Sequence, residues 1–319
     1  IHALVIHHFL YALEHDVEIE WIYYSLEMNR VSQEFDFAAY FIFHDHGIKE
    51  AILPPGILKD GLNVVPLSSN YLRGRLQDDD GNHIKVNKKV EEAMIDVYEK
   101  RIKVLFGEFN QYGTQLKTGY ITFIKNTDNP TGIFKGLLAH ASKHGTIIEA
   151  EENGYKRMIG YKPKNPDKYT IIITDHMRKL IPERGWAMKQ TVDKMAEYHC
   201  ILRDLLGYTF VDIIHLNRGV SDIYRMKAFG DMLFPSSDDI KDTGNLAEDC
   251  DYLFTLFNPN DERYNLSKHF GLKIKADNGD SLYPDLRTIH LVESRHCGFP
   301  QHFRVNMEGN IKNFTKLEI

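Results

Sequence analysis

The sequence predicts an α/β protein built on a largely parallel sheet with helices covering both faces. Two observations carry that prediction. Apolar, β-branched and aromatic runs at residues 20–25 (EWIYYS), 169–174 (YTIIIT) and 210–216 (FVDIIHL) read as buried strands. Stretches with helical spacing of apolar residues lie between them, the alternation expected when parallel strands are joined by crossover helices.

Taken in order, residues 1–15 read as a helix, with Leu4, His7, His8 and Tyr11 among apolar neighbours. The first strand follows, and helical spacing resumes from Met28 to about Phe43. Residues 50–86 are irregular, with Pro54-Pro55-Gly56 and a turn at Asp78–Asn82 between short strands. A helix is expected over 88–109, because Ile95, Tyr98, Ile102, Leu105 and Phe109 recur at helical intervals. Tyr120 to Ile124 reads as a strand, and Asp128-Asn129-Pro130-Thr131 opens a helix that runs to His144-Gly145. A helix over 189–206 closes at Gly207, and residues 219–243 read as a polar, mobile stretch containing Gly230 and Pro235. Strands at 252–257 and 288–292 precede a terminal hairpin over about 302–317. No linker separates residues 50–118, so one domain over 1–319 with an elaboration there is expected.

Composition bounds the function. Of 319 residues, 43% are apolar and 26% charged, the balance of an ordinary globular protein. A net charge of −6 argues against a chain coated in nucleic acid, though not against a local strip that contacts it. Cys200, Cys250 and Cys297 are odd in number and far apart, which fits reduced thiols in a cytoplasmic setting. No apolar run approaches the ~18 residues of a membrane span. Residues 1–13 lack the cationic start and small-residue cleavage site of a signal peptide.

Four residues carry candidate chemistry. Asp175 ends the YTIIIT strand, where a carboxylate suits Mg²⁺ because hard cations prefer oxygen. Such an acid also serves as a cap or turn residue. Glu27, in Ser25-Leu26-Glu27-Met28, also follows a buried strand; it could polarise a water, or it could be an acid favoured by the dipole of the next helix. His215 ends the third strand ahead of Leu216-Asn217-Arg218 and could sense a phosphate or simply be satisfied by neighbouring strand ends. Arg295 projects just past a strand, and suits charge stabilisation on a phosphate or an ordinary surface role. His44-Asp45-His46 has metal-ligand residue types without a partner cluster, and Asp78–Asn82 lacks the downstream Glu of a calcium loop.

The order of these stretches is more telling than any one of them. YYSLEM (23–28), IIITDH (171–176), IIHLNR (213–218), DIKDTGNLAEDCDYLFTLF (239–257) and ESRHCGFPQHF (293–303) together resemble the C-terminal ATPase domain of DnaB-type hexameric replicative helicases, most closely a phage-type branch. The resemblance implies a RecA-like P-loop NTPase core with a C-terminal β-hairpin, ATP and Mg²⁺ as cofactors, single-stranded DNA as partner and a homo-hexamer, with a primase or helicase loader as a further partner and no membrane attachment. It implies a cytoplasmic location, the host's if the protein is phage-encoded. Glu27 would be the general base, Asp175 the magnesium residue, His215 the γ-phosphate sensor and Arg295 the finger that reaches the next subunit. Residues 219–238 would track single-stranded DNA, with Asn217, Arg218, Arg225 and Lys227 at the strand. Acids at 222, 231, 238 and 239 keep that segment from being a basic patch, so backbone amides would carry much of the phosphate contact.

The chain departs from the resemblance at named positions. His215 stands where the family usually has Gln, Glu293 where it has Lys, and Lys241 where Arg is common. No G-x-x-x-x-G-K-[ST] occurs in the sequence, so the backbone nest for β- and γ-phosphates is not supplied. The expectation is a motor domain lacking its first strand and P-loop, truncated before residue 1 and unable to hydrolyse ATP alone. The alternatives are a RecA- or RadA-like recombinase ATPase and a non-catalytic DNA-binding ring subunit.

Overall fold

The computed structural model describes residues 1–59, 61–110, 113–124, 129–152, 154–240, 245–298 and 301–318. The chain divides into two compact units. The first comprises Ile1–Phe123, Lys168–Thr170 and Glu308–Phe314; the second comprises Ile124–Asp167, Ile171–Met307 and Thr315–Ile319.

In the first unit, α1 (His2–His15) leads into β1 (Ile19–Ser25) and α2 (Arg30–His46). The four central residues of β1, Trp21 to Tyr24, are all buried, as its aromatic and β-branched composition requires. Asn29 caps α2 by accepting from Ser32 N–H at 2.9 Å, and Gly47 ends it at φ 67°, a conformation glycine adopts without steric cost. Phe9, Phe37, Phe41 and Phe106 form an aromatic core, with Phe37 and Phe106 edge-to-face at 5.2 Å.

The elaboration lies wholly in this unit. It contains the antiparallel pair β2 (Glu50–Ile52) and β3 (Val64–Pro66), then α3 (Ser69–Leu72) and α4 (Lys88–Val97). A π-helical turn (Tyr98–Ile102) joins α4 to α5 (Lys103–Phe106). The pair β4 (Gly107–Phe109) and β5 (Gln115–Thr118) follows, then β6 (Ile121–Ile124). The single helix expected over 88–109 is therefore corrected at both its face and its end. Val90, Ala93 and Val97 face inward, whereas Ile95 and Tyr98 are 60% and 43% exposed. The wider π turn carries the inward face from Val97 to Ile102, an interval of five that an α-helical pattern does not contain. Leu105 stays inside, and Phe109 falls on a strand.

The second unit starts with α6 (Pro130–His144), capped by Asn129, which accepts from Gly132 N–H at 2.7 Å. A long antiparallel hairpin, β7 (Gly145–Glu152) and β8 (Tyr155–Pro163), follows; it was missing from the sequence reading. Its signal was present: alternating residues on either side of the dipeptide Asn153-Gly154. Next come β9 (Tyr169–Asp175), α7 (Met188–Leu206), β10 (Thr209–Ile213), α8 (Ile223–Phe229) and α9 (Asn245–Asp249). Strand β9 is shared, its Tyr169 and Thr170 belonging to the first unit. There Tyr169 N–H donates to Glu18 O at 2.9 Å, and Trp21 N–H donates to Tyr120 O at 2.8 Å. In the second unit β9 and β10 pair in parallel, from Ile171 opposite Thr209 to Asp175 opposite Ile213. The resulting strand order is β10-β9-β1-β6.

The C-terminal strands are β11 (Tyr252–Phe257), the two-residue pair β12 (Lys268–His269) and β13 (Leu272–Lys273), then β14 (Leu286–Ser294), β15 (Gln301–Glu308) and β16 (Asn313–Lys316). Strands β11, β14, β15 and β16 form a separate four-stranded sheet whose β11–β14 and β14–β15 pairings are antiparallel. Val220, Leu233, Phe257, Leu266, Ile274 and Leu286 form a buried cluster beside it. Among the described residues no helix is long and apolar enough to cross a membrane.

Candidate functional site

Parallel pairing brings the carboxyl ends of β9 and β10 to one edge, the place where open α/β sheets bind ligands. Asp175 closes β9 there, half-buried. His215 lies two residues beyond the end of β10, and its ring stacks on that of buried His176 at 4.1 Å and 24°. Behind this edge, buried His199 pairs with Asp212 at 2.8 Å and ties α7 to β10. His176 was not singled out from sequence, although it stands in the IIITDH stretch. Glu27 belongs to the first unit, exposed in the bend after β1. Ser25 Oγ donates to Met28 O at 2.5 Å and turns the chain into α2.

The carboxylate of Asp175 offers the hard oxygen that Mg²⁺ takes, so this residue fits the cation. A triphosphate fits less well: no G-x-x-x-x-G-K-[ST] occurs in these 319 residues to cradle it with backbone N–H groups. No hydrolytic step is therefore built on this chain's own phosphate contacts.

Arg295 follows the last residue of β14. Its backbone N–H donates to Asp251 O at 3.0 Å, and its Nη2 donates to Glu248 O at 2.6 Å, near the carbonyl end of α9. Asp251 also accepts from Arg203 Nη1 at 3.1 Å and stands 3.7 Å from both Arg295 Nη1 and His296 Nε2. One carboxylate thus gathers three cationic side chains, and sequence reasoning had singled out only Arg295. Beside them, burial pushes the Cys250 thiol up to about 11, so it stays protonated and unreactive at neutral pH. Glu293 pairs across the sheet with Leu253.

The segment after His215 is anchored, which corrects the expectation of a mobile stretch over 219–243. Asp239, with 1% exposure, is its centre. Its carboxylate accepts from Arg225 Nη1 at 2.6 Å and from Ser236 N–H at 2.7 Å, while its carbonyl accepts from Asn217 N–H at 2.7 Å. Asn217 in turn accepts from Gly219 N–H at 2.6 Å and donates from Nδ2 to Asp238 O at 3.2 Å. Arg225 Nη2 donates to Phe234 O at 2.8 Å. Asp222 caps α8, accepting from Tyr224 and Arg225 N–H at 3.0 and 3.1 Å. The guanidinium of Arg225 is therefore committed inside the fold, while Lys227 is exposed. The side chain of Arg218 lies outside the described residues, as do Lys241 and the Asp242-Thr243-Gly244 helix start.

No family model matches the chain, and no curated protein matches it. Solved structures do. A DnaB-like replicative helicase, described with its interactions with primase, aligns over 96% of this chain and 52% of its own, with a TM-score of 0.57 and 12% identity. A second solved structure, a helicase ATPase domain, aligns over 96% of this chain and 76% of its own, with a TM-score of 0.55 and 13% identity. The chain spans about half the length of the DnaB-like helicase. At these identities the likeness is one of fold: this chain has the α/β fold of DnaB-like helicase ATPase domains.

Proposed function

We propose that this protein is the motor domain of a ring-forming replicative DNA helicase, which hydrolyses ATP with Mg²⁺ as it moves along single-stranded DNA. The observation that carries this reading is the edge where β9 and β10 end together, with Asp175 and His215 on it, in a fold shared with two helicase ATPase domains. Asp175 holds the magnesium ion and His215 senses the terminal phosphate. Glu27 is the general base, and Arg295 reaches the nucleotide of the neighbouring subunit in a homo-hexamer. Asn217, Arg218, Arg225 and Lys227 belong to the segment that serves the DNA strand, and a primase or loader is a further partner. Bound nucleotide would supply the phosphoryl group whose transfer drives movement; this chain's part is to hold the cation, order water and stabilise charge.

The test uses the protein at its full natural length. ATP-dependent unwinding of a forked duplex, without exchange of homologous strands, is the expected result. Strand exchange without unwinding would favour the recombinase alternative, and neither activity together with tight DNA binding would favour a non-catalytic ring subunit.

A further inference from the structure

The segment 217–240 poses a question that its charges do not answer. Its strongly anchored cation, Arg225, points into the fold and is neutralised by buried Asp239. Yet α8 is fixed from several sides. Asp222 caps it, Arg225 ties it to Asp239 and Phe234, and Met226 packs against the buried cluster of Val220 and Leu233. On this immobilised helix Tyr224 is 83% exposed, with Ile223 exposed beside it. Lys227 is also exposed, and a spacing of three puts it on the same face as Tyr224. No acid occurs within α8. A large aromatic ring held rigidly in water contributes little to folding. Paired with an ammonium one turn away, it matches a strand that carries flat bases and phosphates together.

We propose that Tyr224 is a base-stacking platform for single-stranded nucleic acid, that Lys227 meets the adjoining phosphate, and that the buried Arg225–Asp239 pair positions both. This rests on the nucleic-acid reading above and gives it a new element: contact with bases as well as with the backbone. Stacking tolerates any sequence, because every base presents a π-face. Arg225 is then a positioning residue, reached by the DNA only through the helix it braces.

The test compares fluorescein-labelled oligo-dT with the same strand carrying abasic sites, binding each to wild type, Tyr224→Ala, Tyr224→Trp and Lys227→Ala by anisotropy. Tyr224→Ala is expected to weaken oligo-dT binding about tenfold while leaving the abasic strand almost unchanged. Tyr224→Trp is expected to bind oligo-dT as wild type does, with its indole fluorescence quenched by oligo-dT and not by the abasic strand. Lys227→Ala is expected to weaken both strands alike. If wild type binds both strands and Tyr224→Ala matches it on oligo-dT, the stacking proposal fails while the nucleic-acid reading stands. If wild type binds neither strand, both fail. A change of oligomeric state in Tyr224→Ala, read by sedimentation, would assign this face to a second copy of the chain and overturn the proposal.

Discussion

Asp239 shows how much a single carboxylate can organise. Its side chain is 2% exposed and that of its partner Arg225 is 20% exposed, so each neutralises a charge that water reaches poorly. Removing one member of a buried pair leaves the other uncompensated, at a cost of about 3 kcal/mol or more. Asp239→Asn should therefore lower the urea midpoint by that equivalent, and pairing it with Arg225→Met should recover much of the loss. A single variant as stable as wild type would mean the pair is not a strut. Gly107 is a second sensitive position. Its φ is +84°, and a Cβ there would meet Lys117 O at 2.0 Å, which is backbone and cannot swing aside. Gly107→Ala should cost about 2 kcal/mol or more, from strain and overpacking together, as thermal melting would show.

At the scale of elements, the antiparallel sheet contains a histidine cluster that the helicase reading does not use. Thr288 Oγ1 on β14 lies 2.8 Å from His290 Nε2 and 3.2 Å from His269 Nε2 on β12. A hydroxyl carries one proton, so at least one of these imidazoles donates to it. Burial pushes the pKa of His269 down to about 4 and that of His290 to about 3, with nearby His302 acting in the same direction on both. Both values lie below the ~6.5 of an unfolded histidine, so at intermediate pH the unfolded chain takes up protons that the fold refuses. Their contribution is complete above ~6.5 and is lost progressively as pH falls toward 4 and then 3. The urea midpoint should drop between neutral pH and pH ~5, and His290→Phe, whose ring can stack on Phe234 as His290 does, should flatten that slope. An equally steep slope in the variant would remove His290 from the account.

Across the whole molecule, what was legible in the sequence was what local pattern determines. Strands β1, β9 and β10 declared themselves by unbroken apolar runs, and α6 and α7 by Asn129 and Gly207 at their ends. The inward face of α4 and α5 was misread because a π turn shifts the interval between Val97 and Ile102. The β7–β8 hairpin was passed over although its turn dipeptide was in view. At the candidate site, Asp175 and His215 were legible because each ends a strand. Asp239, Arg203 and Asp251 were not, because their importance lies in partners between 14 and 48 residues away. Sequence counted Asp239 against DNA binding as one negative charge, whereas the fold spends it on Arg225. The central claim, a DNA-dependent motor with Glu27 as its base, is tested most directly by steady-state ATP turnover of the full-length protein with and without single-stranded DNA. The account predicts turnover that DNA stimulates and that Glu27→Gln lowers about a hundredfold or more without loss of DNA binding. Turnover indifferent to DNA, or a Glu27→Gln variant as fast as wild type, would contradict it.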